Sequence, residues 1–213
     1  MKTNTLDLRH MDCMELMATY PDDHFALAVV DPPYGINVNV NAMGKRSGRP
    51  AKGYKEFAGG DKCAPNKEYF KQLQRVSKDQ IIWGANHFID NLTPFANSPC
   101  WIMWDKKISV DMSSASFEMA WTSFKSVSKK FDQAREQIER IHPTQKPVKL
   151  YDWIFANYVE KGMKILDTHM GSGSIAIAAH YAGMYLTACE LDEDYYKAAC
   201  ERIHRETSQT VFL

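Results

Sequence analysis

The sequence predicts an α/β fold, a largely parallel sheet covered by helices on both faces, within one domain spanning residues 1–213. Three observations predict it. Short apolar segments recur along the chain, patterns of helical period lie between several of them, and one stretch reads in succession as strand, glycine turn, helix and strand. A chain of this length buries one sizeable core and is short for two independent ones.

Seven strands are expected: Thr5 to His10, Phe25 to Val30, Gln80 to Trp83, Cys100 to Trp104, Phe117 to Thr122, Lys164 to Asp167 and Tyr185 to Cys189. Helical spacing of apolar residues marks Tyr69, Phe70, Leu73 and Val76, then Leu150, Ile154 and Tyr158, then Tyr195, Ala199 and Ile203. Alternation of strands with helices implies parallel pairing, because a parallel connection needs a crossover. Two segments break the pattern. Residues 37–66 and, on either side of the strand Phe117 to Thr122, 105–116 and 125–141 are polar, the first rich in Gly, Pro, Asn and Lys. The stretches 37–66 and 105–141 are read as insertions, and an irregular stretch as long as 37–66 in a compact domain usually serves a function.

Composition excludes several classes. Apolar residues make up 45% and charged residues 24%, and no apolar run approaches the roughly 20 residues of a membrane span. No apolar stretch follows Lys2, as a signal peptide would require, so a cytoplasmic location and no membrane partner are expected. Cys13, Cys63, Cys100, Cys189 and Cys200 are scattered without a Cys-x-x-Cys pair, the pattern of reduced thiols rather than of a disulfide framework or a metal site. The formal net charge is zero, yet residues 36–62 hold six Lys or Arg against two acids and residues 125–149 seven against three. Basic segments on an otherwise acidic body can follow phosphates, although Lys-rich solvated loops give the same count.

Chemistry concentrates at two strand ends. In KILDTHMGSGSIAIAAHYAGMYLTACELD, 164–192, the strand to Asp167 enters a turn at Gly171 and Gly173, a small-residue helix runs from Ser174 to Tyr181, and a second strand ends at Glu190. Glycines allow close approach of a ligand, and an acid about twenty residues on can bind both hydroxyls of a ribose. A tight turn explains Gly-x-Gly equally well by itself; Asp167 and Glu190 at the two strand ends favour the nucleoside. Ile175 and Ile177 stand where a third glycine would help cradle a pyrophosphate, so a nucleoside carrying methionine fits better than a dinucleotide.

The second strand end is VVDPPYGI, 29–36. Ligands of open parallel sheets bind beyond the carboxyl ends of strands, so Asp31 to Tyr34 and Asp167 to Gly173 are expected at one crevice. Pro32 and Pro33 lack N–H groups, which leaves their carbonyls and the Asp31 carboxylate as acceptors for a planar amine, with Tyr34 to stack on its ring. A plain strand-ending turn uses Asp-Pro-Pro too, but does not call for an aromatic.

DPPYG at 31–35, HPTQKP at 142–147 and the glycine turn at 165–174 together resemble the amino-methylating DNA methyltransferases that use S-adenosylmethionine. With DPPY ahead of the glycine turn, the order resembles the permuted beta group and its small phage and prophage members. The resemblance covers the chain outside 37–66 and 105–141. It implies a seven-stranded Rossmann-like methyltransferase sheet, mostly parallel and circularly permuted in motif order, with the first strand, ending in MDC, beside the last, ending in CEL. It implies S-adenosylmethionine as cofactor and double-stranded DNA as partner, the target being the N6 amine of a flipped adenine. Asp31, Pro32, Pro33 and Tyr34 match the catalytic motif. The cofactor site implied comprises Asp12 and Cys13 toward the adenine end, Asp31 and Pro32, then His142, Thr144, Lys146 and Pro147 toward the methionine end. Asp167, His169, Gly171, Ser172, Gly173 and Ser174 form its loop, and Glu190 is its ribose acid. Lys45, Arg46, Arg49 and Lys52 are the implied DNA contacts, and both insertions the implied target-recognition loops.

Relatives read Asp-Pro-Phe where this chain has Asp167, Thr168 and His169; a neutral packing imidazole or a titratable group beside the cofactor are the alternatives. Cytosine-N4 enzymes share the geometry but more often carry Ser before Pro-Pro. A catalytically idle DNA- or cofactor-binding protein, an RNA substrate, a homodimer and a cognate restriction endonuclease remain open.

Overall fold

The computed structural model describes residues 1–37, 61–108, 115–134 and 140–208. Among these, eight strands form one sheet: β1 (Leu6–His10), β2 (Phe25–Val30), β3 (Ser77–Trp83), β4 (Trp101–Asp105), β5 (Phe117–Thr122), β6 (Lys129–Asp132), β7 (Lys164–Asp167) and β8 (Tyr185–Glu190). Their order is β1-β8-β7-β2-β3-β5-β4-β6. The pairs from β1 to β3 are parallel, β5 runs antiparallel to both β3 and β4, and β6 is parallel to β4.

Among the described residues five α-helices accompany the sheet: α1 (Cys13–Ala18), α2 (Lys67–Val76), α3 (Val148–Tyr158), α4 (Ser174–Ala182) and α5 (Glu193–Thr207). Their starts follow from side-chain caps. Asp12, Asn66 and Asp192 each accept backbone N–H bonds from the first turn of α1, α2 and α5, satisfying donors that a helix leaves without partners. Acids in the first turn of α5 and His204 and Arg205 in its last turn complement the helix dipole.

Alternation along β2 divides the core. Leu27 and Val29 face a cluster that includes Ile154 of α3, Ile175 of α4 and Ile203 of α5, while Ala28 and Val30 face Leu16 of α1 and Phe70 and Leu73 of α2. Each fully buried Leu, Ile or Phe contributes about 1.5–3 kcal/mol, so a sheet covered on both faces is the arrangement that hides all of them. No helix among the described residues is long and apolar enough to cross a membrane.

Two expectations need correction. Among the described residues the sheet has eight strands rather than seven, and the additional one, β6, lies in the part of the 105–141 insertion read as irregular, beyond the expected β5. Lys129–Asp132, KKFD, carries no apolar run because it forms the edge of the sheet, where charged side chains are favoured. The six-residue α1 had no detectable period. The expected neighbourhood of first and last strands is present: Leu6 pairs with Leu186 and His10 with Glu190.

Candidate active site

Ala28 of β2 lies opposite Leu166 of β7, so both strands end at the same edge and Asp31–Tyr34 emerges beside Asp167–Gly173. The two strand ends thus lie side by side, as expected from the carboxyl ends of parallel strands.

At the first corner, one oxygen of Asp61 accepts the backbone N–H groups of Tyr34 and Gly35 at 2.7 and 2.9 Å, fixing the turn. The Tyr34 hydroxyl donates to Oδ1 of Asp31 at 2.8 Å, and Lys146 Nζ meets Oδ2 at 2.5 Å. The ring of Tyr34 stacks on His87, with centroids 5.2 Å apart and planes 17° from parallel. Gly84 is required here: its φ is +70°, and a Cβ would overlap the tyrosine ring.

Behind Asp31 lies an alternating row of charges. Lys146 Nζ is 3.1 Å from Oε2 of Glu118, whose Oε1 is 2.5 Å from Lys106 Nζ. Both lysine side chains are 2% exposed, against 18% for Asp31. Burial works to raise the Glu118 carboxyl, but the two ammonium groups overcome it and hold it at about 2. Burial likewise opposes the charge of Lys146, yet Asp31 and Glu118 raise it above the ordinary lysine value. Burial pushes Asp31 up against the opposing pull of Lys146.

At the second corner the Gly171 N–H donates to Oε2 of Glu190 at 2.9 Å, and the Asp192 N–H to Oε1 at 3.0 Å. Gly173, with φ +73°, brings the turn so close to α5 that a Cβ would stand 2.7 Å from Ile203. Burial raises Asp167 to about 8 although it accepts the His169 N–H at 3.0 Å. Burial lowers His169 to about 4, and its Nδ1 shares a hydrogen bond with Thr168, itself bonded to the Tyr69 hydroxyl at 2.6 Å. His169 is thus a neutral, packed imidazole at neutral pH.

The HPTQKP segment joins the two corners. Ser174 Oγ donates to the Lys146 carbonyl at 2.7 Å, and buried Arg202 donates to both Ser174 Oγ and the Ser172 carbonyl. His142 packs edge-on against Tyr195 and lies 3.0 Å from Thr144 Oγ1; burial lowers it to about 4. Pro147 is the N-cap of α3, without a side-chain cap bond.

Asp31, Pro32, Pro33, Tyr34, Lys146, Asp167 to Ser174 and Glu190 are therefore grouped at one sheet edge, with Lys146 turned to Asp31 rather than to the glycine turn. Asp12 caps α1, and Cys13 begins that helix with its thiol pushed up to about 12 by burial. Lys45, Arg46, Arg49 and Lys52 lie outside the described residues. Sequence reasoning missed Asp61, Gly84, His87, Lys106 and Glu118. Only Gly84, directly after the apolar Ile81-Ile82-Trp83, carried a signal.

A model of the N6/N4 DNA methylase family matches residues 67–201, more than half of the chain. A putative methylase, YubD, of Escherichia coli K12 is 34% identical over 64 residues, a match that spans 30% of this chain and 28% of that protein. Among solved structures, M1.HpyAVI in complex with SAM is 18% identical with a TM-score of 0.62, covering 92% of this chain and 99% of that one. The cytosine-N4-specific PvuII DNA methyltransferase is 10% identical with a TM-score of 0.67, covering 100% and 89%. A putative DNA modification methylase of Thermus thermophilus, complexed with S-adenosyl-L-methionine, is 16% identical with a TM-score of 0.58, covering 96% and 95%. With its acceptor corner and glycine turn on neighbouring strands and more than half its length matched by the family model, the chain belongs to the N6/N4 DNA methylase family.

Proposed function

We propose that this protein methylates the N6 amine of adenine in double-stranded DNA, with S-adenosylmethionine as the methyl donor. The observation that carries the reading is the side-by-side emergence of Asp31–Tyr34 and Asp167–Gly173 from β2 and β7.

The residues present fit such a cofactor. Each Glu190 oxygen accepts one backbone N–H, leaving lone pairs for the two hydroxyls of a ribose. The turn at Gly171–Ser174 is the proposed seat of the amino-acid group, and Arg202, the one cation bonded to it among the described residues, is engaged with Ser172 and Ser174. When bound, S-adenosylmethionine supplies an electrophilic methyl on sulfur.

The protein's own residues act on the base. An exocyclic amine is a poor nucleophile because its lone pair is delocalised into the ring. Accepting its hydrogens on the Asp31 carboxylate and the Pro32 carbonyl favours a pyramidal nitrogen with a localised lone pair, and stabilises the positive charge that grows on it. The Lys146 and Tyr34 bonds each take one acceptor position of Asp31, so the carboxylate keeps others for the amine. Asp31, rather than Ser, before Pro32 favours adenine over cytosine. The basic stretch containing Lys45, Arg46, Arg49 and Lys52 is the proposed contact to phosphates.

The test is expression in a methylation-deficient host followed by mapping of modified bases. N6-methyladenine in a short sequence context is expected. N4-methylcytosine instead would overturn the base assignment, and no transfer of labelled methyl by the purified protein to any DNA would overturn the enzyme itself.

A further inference from the structure

Two lysines buried to 2% exposure are unusual, because taking an ammonium group out of water costs more than pairing ordinarily returns. Apolar residues of similar volume would serve the fold equally or better. These lysines converge on one acid, Glu118, at the start of β5 and directly behind Asp31. The row Lys106, Glu118, Lys146, Asp31 alternates in sign and ends at the carboxylate that the proposed reaction uses.

Resting on that reading of the site, we propose that Glu118 is a positioning residue for Asp31: held by Lys106, it fixes the Lys146 ammonium against Oδ2 of Asp31 and balances its charge. Asp31 then meets the base amine as an oriented anion. Without Glu118, Lys146 keeps one carboxylate partner and gains freedom of position, and Lys106 loses the counter-charge of Glu118.

The charged and titratable groups around Lys146 come from every neighbouring element: Asp31 and Tyr34 after β2, Lys106 after β4, Glu118 on β5, Asp167 at the end of β7, and His142 in its own segment. Trp83 of β3 places its ring 5.2 Å from Nζ, and Tyr151 of α3 feels both Asp31 and Glu118. Glu118 favours the charged form of Lys146 and disfavours that of Asp31. Its neutralisation therefore lowers the pH at which Lys146 loses its proton and the pH at which Asp31 gains its charge.

The experiment is the pH–rate profile of methyl transfer for wild type, Glu118→Gln and Glu118→Asp, with cofactor affinity measured separately. In Glu118→Gln a fall in kcat on the order of 10- to 100-fold is expected, cofactor affinity is unchanged, and both limbs of the profile move to lower pH. Glu118→Asp returns the limbs toward their wild-type positions. A merely structural role would scale the rate at every pH without moving either limb, and that result overturns the inference. Where Glu118→Gln does not fold, Lys106→Met/Glu118→Gln, which removes one charge of each sign, is read in the same way; a wild-type profile overturns the inference there too. Absence of activity in the wild-type protein would instead strike the functional reading on which this rests.

Discussion

At the scale of single residues, Asp31 is the position on which the proposed chemistry depends. Asp31→Ala removes the acceptor and one negative charge of the row, while Lys146 keeps Glu118 as a carboxylate partner. Methyl transfer is expected to fall on the order of 10²- to 10³-fold or more, while cofactor affinity, measured by calorimetry, stays within about twofold because Glu190 and the glycine turn are untouched. Asp167 gives a prediction about stability. Its folded value of about 8 stands above the ordinary 3.8 because of burial, so it favours folding fully below the ordinary value, and that contribution is lost as pH rises toward 8. Thermal melts of the ligand-free protein should therefore find Asp167→Asn gaining on wild type as pH is raised from 5 to 9; a constant difference would contradict it. Asp31, Asp167 and Glu190 were legible in the sequence because each stands at the end of a strand, and Tyr34 because an aromatic follows the two prolines. Asp61 was not, since its work is to accept two backbone N–H groups from a segment 26 and 27 residues away.

At the scale of elements, seven strands were readable, the edge strand β1 among them, and the other edge, β6, was not. β2, β7 and β8 are apolar because helices cover both faces; β6 is polar because it is an edge, and polarity is what suggested a loop. Glu118 escaped for a topological reason. Acids at the ends of parallel strands mark the ligand edge, but β5 is antiparallel to β3, so its beginning lies at that same edge. No rule that inspects only strand ends finds it. The turn after β3 offers a direct test of element geometry. Gly84→Ala places a methyl group in the space of the Tyr34 ring and in a backbone conformation disfavoured for alanine. A loss of about 1–3 kcal/mol in chemical denaturation is expected, with activity falling further than stability alone explains, because Tyr34 is pushed from Asp31. Equal stability of the two proteins would show that the ring yields freely.

At the scale of the whole molecule, neutral net charge conceals a polar distribution, with an acidic stretch at 182–206 and basic stretches at 36–62 and 125–149. Replacing Lys45, Arg46, Arg49 and Lys52 together by Gln should weaken DNA binding and reduce the slope of log affinity against log salt by roughly 0.9 for each phosphate no longer neutralised. A titration series from low to moderate salt measures this, and an unchanged slope would place the phosphate-binding groups elsewhere on the surface. The motif order, and with it the neighbourhood of β1 and β8, was carried by the resemblance of three short motifs; periodicity alone establishes the class of fold and not the sequence of strands across it.

Arg202 ties the scales together. Its guanidinium holds the Ser172 carbonyl and Ser174 Oγ, and that same hydroxyl grips the backbone of Lys146, whose ammonium rests on Asp31. On the proposed reading, whatever settles the turn that takes the methyl donor also settles the acceptor of the base, and thermodynamic linkage makes the effect mutual: each ligand should strengthen the binding of the other by one common factor. Loosening this knot at Arg202 should make the two bind as strangers.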